Sequence, residues 1–154
     1  MKKIAILHDY FDEIGGAEIT LLHMARILNA PIYTTNIDKE KIIEMDFIDV
    51  LPRIHSIGKV TQIRYIKQLL TQIRFLLLKL DNYDEFIFGG IHSIYSSKKN
   101  TPNSWYCFSP DKGLYNQKTN KNFLLKLFKK IQKKRDRKAV KNIERAISPS
   151  KTVS

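Results

Sequence analysis

Ile4-Ala5-Ile6-Leu7 is an unbroken apolar run of strand length, closed abruptly by His8-Asp9. A strand with one wet face alternates apolar and polar residues, whereas a run apolar at every position belongs to a strand covered on both faces. Such strands sit in parallel sheets with helices above and below. After a loop from His8 to Gly15, Ala17, Leu21, Met24 and Leu28 recur at spacings of four, three and four, the stripe of a helix laid on that sheet. Pro31 bounds the helix, and Ile32 to Thr35 supplies a second strand rich in β-branched and aromatic residues.

The alternation continues. Phe47 to Leu51 reads as a third strand before Pro52, Tyr65 to Leu80 as one or two helices, and Glu85 to Phe88 as a fourth strand closed by Gly89-Gly90. Ile91 to Ser97 suits a short helix, and Trp105 to Phe108 a fifth strand before Pro110. Asn122 to Arg145 forms a long basic helix, and Ala146-Ile147-Ser148 opens a sixth strand that ends at Pro149. The expectation is an α/β fold: a Rossmann-like open, mostly parallel sheet with helices on both faces, spanning residues 1–154 as a single domain. In such sheets ligands gather beyond the carboxyl ends of the strands, which here carry His8-Asp9, Gly89-Gly90 and Ser109-Pro110.

A chain of 154 residues with 43% hydrophobic residues can bury a core without staples. Its net charge of +12 favours a polyanionic partner: a phosphorylated substrate, an anionic membrane or nucleic acid. No helix-turn-helix, RNA-recognition or zinc-finger pattern accompanies the charge, which ranks nucleic acid last. Cys107 is the single cysteine, so no internal disulfide forms and a reducing, cytoplasmic setting is favoured; a nucleophilic role for it is disfavoured. Met1 to Leu7 is too short for a signal peptide, and Ile63 to Leu80 is interrupted by cations, so no membrane span is expected. His8, His23, His55 and His92 lack metal-ligand spacing, and neither a dinucleotide fingerprint nor a Walker loop occurs; no metal and no resident cofactor is expected.

Gly15-Gly16-Ala17-Glu18 stands where loop becomes helix. Glycine permits close backbone approach there, and the first amides of a helix attract an anion such as a diphosphate. A plain glycine turn before a helix has the same sequence. His8, Asp9 and His92 lie at strand ends, either as acceptor-binding groups facing the cleft or in a capping or surface role. Lys126, Lys129, Lys130, Lys133, Lys134 and Arg137 crowd a helix that also carries Leu124, Leu127, Phe128 and Ile131. That helix is either a solvated charged face or one that meets anionic lipid.

His8-Asp9-Tyr10, Gly15-Gly16-Ala17-Glu18, Ala30-Pro31-Ile32-Tyr33-Thr34, Tyr83-Asp84, Trp105-Tyr106-Cys107-Phe108-Ser109-Pro110 with Lys112 and Leu114-Tyr115, and Ala146-Ile147-Ser148-Pro149-Ser150 follow one another in order. The ordered set resembles the amino-terminal domain of family 4 (group 1) retaining glycosyltransferases of GT-B architecture. The resemblance implies two Rossmann-like domains facing across a cleft, with this one holding a glycan or lipid-linked acceptor. The absent carboxyl-terminal domain holds a nucleoside-diphosphate sugar as co-substrate, so the chain alone is inactive. It implies that Gly15 and Gly16 contact the donor diphosphate, that His8, Ser109 and Lys112 belong to the acceptor-side cleft, and that Asp9 and His92 are catalytic candidates. Two positions depart from the family pattern. Phe108 replaces a histidine and can neither donate a hydrogen bond nor carry charge, and Lys112 replaces an arginine and loses its bidentate geometry. The competing expectation is a non-enzymatic basic module that binds an anionic membrane or a partner protein.

Overall fold

The structure, a computed structural model, describes residues 2–108 and 123–148. Strands β1 (Ile4–Leu7), β2 (Ile32–Thr34), β3 (Ile54–Ser56), β4 (Glu85–Phe88), β5 (Asn103–Tyr106) and β6 (Arg145–Ile147) form one sheet in the order β3-β2-β1-β4-β5-β6. Every neighbouring pair is parallel. Helices α1 (Gly16–Leu28), α2 (Lys39–Glu44), α3 (Arg64–Leu77) and α4 (Phe123–Val140) accompany it. This is the doubly wound α/β arrangement that the sequence predicts, with the strand order reversing between β1 and β4.

The all-apolar β1 run is explained by its place at the centre. Ile6 points into a cluster with Leu21, Leu22 and Ala25 of α1 and with Ile42 of α2. Ala5 and Leu7 point into a second cluster with Phe75 of α3, Phe86 and Phe88 of β4, and Ala139 of α4. Successive side chains of a strand face opposite ways, so only a run apolar at every position satisfies both layers. Helix α1 ends where Asn29 takes the left-handed conformation at φ 50° and returns its amide to the Ala25 carbonyl, two residues before Pro31.

The third strand is a correction. Phe47 to Leu51 is not extended: Asp46 turns through φ 62°, Phe47 donates its amide to the Ile42 carbonyl, and Leu51–Arg53 forms a 3₁₀ turn. Phe47 and Val50 are buried while Ile48 is exposed, a spacing of three that belongs to a turn. The strand itself is the next segment, Ile54–Ser56. Helix α2, absent from the sequence reading, is opened by Asp38, whose carboxylate accepts from the Lys41 amide at 3.2 Å.

Strand β5 begins two residues earlier than expected because Asn103, 1% exposed, is the joint of that edge. Its Nδ2 donates to the carbonyls of Ser97, Asn100 and Asn142, and its Oδ1 accepts from the Glu144 amide. The last helix stops at Val140, short of the expected Arg145, and the residues beyond it enter β6. Among the described residues no helix is long and apolar enough to cross a membrane.

Candidate functional site

The carboxyl ends of β1, β4 and β5 surround a cleft of about 170 Å³, at the point where the strand order reverses. Its walls include His8, Glu18, Gly89, Trp105, Cys107 and Phe108. Asp9 builds it. The side chain is 7% exposed, and its carboxylate accepts from the main-chain amides of Ile91 (3.0 Å), His92 (3.0 Å) and Ser93 (2.7 Å). One buried anion thus fixes the loop after β1 to the loop after β4. The sequence leaves a capping role open for Asp9, and capping is what its oxygens do.

Gly90 is the counterpart of that clamp. A Cβ there would lie 2.0 Å from Asp9 Oδ1, so only a residue without a side chain lets the carboxylate reach the amides. Ser93 completes the turn, its hydroxyl donating to the Gly90 carbonyl and accepting from the Gly90 amide, both at 3.1 Å.

Glu18, in the first turn of α1, makes a second clamp. Its Oε2 accepts from the Gly15 amide at 2.8 Å, and its Oε1 lies 2.9 Å from His8 Nε2. Burial of Glu18 works against its ionisation, but the hydrogen bond and charge of His8, with the Gly15 amide, hold its carboxyl below the ordinary value of 4.5. An ionised carboxylate only accepts, so His8 Nε2 carries the proton. His8 Nδ1 is buried and has no hydrogen-bond partner among the described residues, in a residue only 5% exposed.

The rest of the loop from His8 to Gly15 is held as firmly. Phe11 is fully buried and bridges Ile37, donating its amide to the Asn36 carbonyl at 2.7 Å. Asp12 accepts from Lys67 Nζ (2.6 Å), Gln62 (3.0 Å) and Asn36 (3.1 Å). Burial opposes its charge, and these bonds, led by that of Lys67, still hold its carboxyl below the ordinary 3.8. Lys67 also stands 4.1 Å over the Tyr10 ring. Sequence reasoning passed over Asp12 and Lys67; fifty-five positions separate them, and no local pattern connects them.

The residues singled out in the sequence thus have distinct fates. His8 enters the cleft wall and Asp9 braces it. His92 is 4% exposed, and its Nδ1 lies 3.2 Å from Gln72 Nε2 of α3. The Gly15 amide is spent on Glu18. A Cβ on Gly16 would meet nothing within 4 Å, and helix geometry leaves the Gly16 and Ala17 amides without intrahelical acceptors. Phe108 lies in the wall with its ring 4.9 Å from that of Tyr106. Burial pushes the Cys107 thiol up, which lowers its thiolate fraction. Ser109 and Lys112 lie outside the described residues. Among those described, no group of three or more His, Cys, Asp or Glu is placed to hold a metal ion.

No protein-family model, curated protein or solved structure matches the chain.

Two outcomes follow from the clamps. Gly90→Ala forces Asp9 off its amides and lowers the unfolding free energy by about 3 kcal/mol, whereas Gly16→Ala, facing open space inside a helix, leaves it unchanged or raised by about 0.5 kcal/mol; urea denaturation reads both. A carboxyl with a depressed folded pKa stabilises fully above its unfolded value and loses that contribution as pH falls through the folded one. Melting temperature therefore declines on acidification below 4.5, and Glu18→Gln, less stable at neutral pH, declines less steeply over that window.

Proposed function

We propose that the chain is the acceptor-side half of a glycosyltransferase that moves a sugar from a nucleoside-diphosphate sugar to a glycan or lipid-linked acceptor at the cytoplasmic side of a membrane. The observation that carries this reading is the open start of α1 beside a cleft at the strand-order reversal. Helix geometry leaves the Gly16 and Ala17 amides without intrahelical acceptors there, and no side chain stands at Gly16.

In the transfer, the bond between the anomeric carbon and a diphosphate oxygen breaks, and a bond from that carbon to an acceptor oxygen forms. The acceptor hydroxyl gives its proton to the departing diphosphate. Negative charge grows on the leaving diphosphate, and helix-start amides fixed in advance favour that charge without having to reorganise. Glu18 serves this by binding the Gly15 amide and fixing the entry of the helix, which leaves the next amides in position.

The cleft wall suits a sugar. Trp105 and Phe108 offer apolar faces, and His8 and Glu18 offer polar groups at one side. With Phe108 where the resembled family has histidine, the described residues of the wall stabilise the sugar through shape and through the His8–Glu18 pair, with no imidazole at that position. Catalysis on this reading needs a second, donor-gripping domain facing the cleft, which also completes the volume that a nucleotide sugar requires.

The test is nucleotide release from nucleoside-diphosphate sugars by this domain together with its donor-gripping domain. Gly16→Asp sets a carboxylate against the developing diphosphate charge and lowers turnover about a hundredfold, with melting temperature unchanged. Turnover equal to that of the unaltered protein would remove the diphosphate role from α1.

A further inference from the structure

Helix α3 is built with its polarity reversed. The face it packs inward contains Lys67, Thr71 and Gln72 beside Phe75. The face it shows to solvent contains Ile63 (62% exposed), Ile66 (46%), Leu70 (37%), Ile73 (38%) and Leu77 (70%). These recur at spacings of three and four, so they form one continuous stripe. A helix that buries a lysine, a threonine and a glutamine while exposing five isoleucines and leucines gains from a second apolar environment.

The exposed charges on the stripe's own segment have one sign. Between Asp49 and Asp81 the chain has no carboxylate, and its exposed cations there are Lys59, Arg64, Arg74 and Lys79, while Lys67 packs inward against Asp12 and Arg53 pairs with Asp49. Helix α4 shares the same side of the sheet, since Phe75 of α3 and Ala139 of α4 enter one cluster. Both helices are also tied to the turn after β4: Gln72 meets His92, and Gln132 and Asp136 meet Tyr95. The solvent side of α4 carries Lys126, Lys130, Lys134 and Arg137, a row at helical spacing, with Leu127 and Ile131 exposed beside it. An apolar stripe and a cationic row therefore lie on one flank of the molecule.

We propose that this flank docks on an anionic lipid surface, with α3 lying in the interface and its isoleucines and leucines entering the acyl boundary while α4 engages the headgroups. A helix with a strong apolar face and cationic borders takes that position, and each basic residue near the surface adds attraction. Pairing with a second copy is opposed by charge, because stripe against stripe brings Arg64 and Arg74 of both chains together with no carboxylate between Asp49 and Asp81 to receive them. The inference stands apart from the transferase reading and is measured without any nucleotide sugar.

The experiment is co-sedimentation of the full chain with vesicles of phosphatidylcholine alone and of phosphatidylcholine mixed with phosphatidylglycerol. The chain is expected to bind the mixed vesicles and not the neutral ones. Ile66→Ser/Leu70→Ser/Ile73→Ser, which leaves charge unchanged, is expected to weaken binding roughly tenfold or more, and Lys126→Gln/Lys130→Gln/Lys134→Gln to weaken it comparably. The substituted side chains are exposed, so melting temperature serves as the control for folding. A second measurement places an environment-sensitive dye on Leu70→Cys in a Cys107→Ser background, where a blue shift with mixed vesicles is expected. Equal binding to both vesicle types, serine-variant binding equal to the unaltered chain, or no dye shift would each overturn the proposal. So would a dimer in sedimentation analysis that the serine substitutions dissociate, since the stripe would then belong to a second copy.

Discussion

The carboxylate of Asp9, buried where β1 ends, receives three main-chain amides from the segment that follows β4. Hydrogen bonds to a charged group contribute about 1.5–3 kcal/mol each, and a buried carboxylate without them would be far too costly to keep. β1 and β4 already pair along their whole length, but pairing alone leaves their exits free. Asp9 joins those exits. Gly90 has no side chain because Asp9 occupies that space, and Gly89 has none because Leu21 of α1 approaches from the other direction. The cleft is the volume left over by these two constraints.

Glu18 repeats the device within the first turn of α1, with His8 and Gly15 as its partners. Asp12 does so again with Lys67, Gln62 and Asn36. Three carboxylates of the chain's acidic minority are thus committed to holding one loop, and the strongly basic balance is left to the surface. Inside, negative charges position main-chain amides and a lysine. Outside, cations gather on α3 and α4. On the proposed function, a cleft braced this way needs little rearrangement to receive an anion, because the amides at the start of α1 are fixed before any ligand arrives.

The sheet was legible because its strands obey a local rule. Ile4 to Leu7 and Glu85 to Phe88 must satisfy two layers at once, and a run of apolar side chains has few other uses. Helix α1 was equally plain from its stripe. The segment from Phe47 to Leu51 misled because a short apolar run with one exposed isoleucine suits a strand or a turn, and the left-handed Asp46 that decides for the turn carries no sequence mark. At the site, Asp9 and Gly15-Gly16 stood out for their position at the ends of elements. Their bonds did not, because the partners lie in the segment after β4 for Asp9 and in a glutamate side chain for Gly15. The inverted face of α3 was hidden too: periodicity shows that a stripe exists, but only packing shows whether the stripe or its opposite faces the sheet.

On the proposed function, the clamps prepare the start of α1 and the adjoining cleft for a diphosphate. Amide-resolved NMR during titration with a nucleoside diphosphate tests it directly, since a chain of net charge +12 attracts anions broadly and only the location of the response discriminates. Saturable shifts are expected at the Gly16 and Ala17 amides and at Trp105 in the cleft. Shifts confined to the lysines of α4, with α1 and the cleft silent, would contradict it.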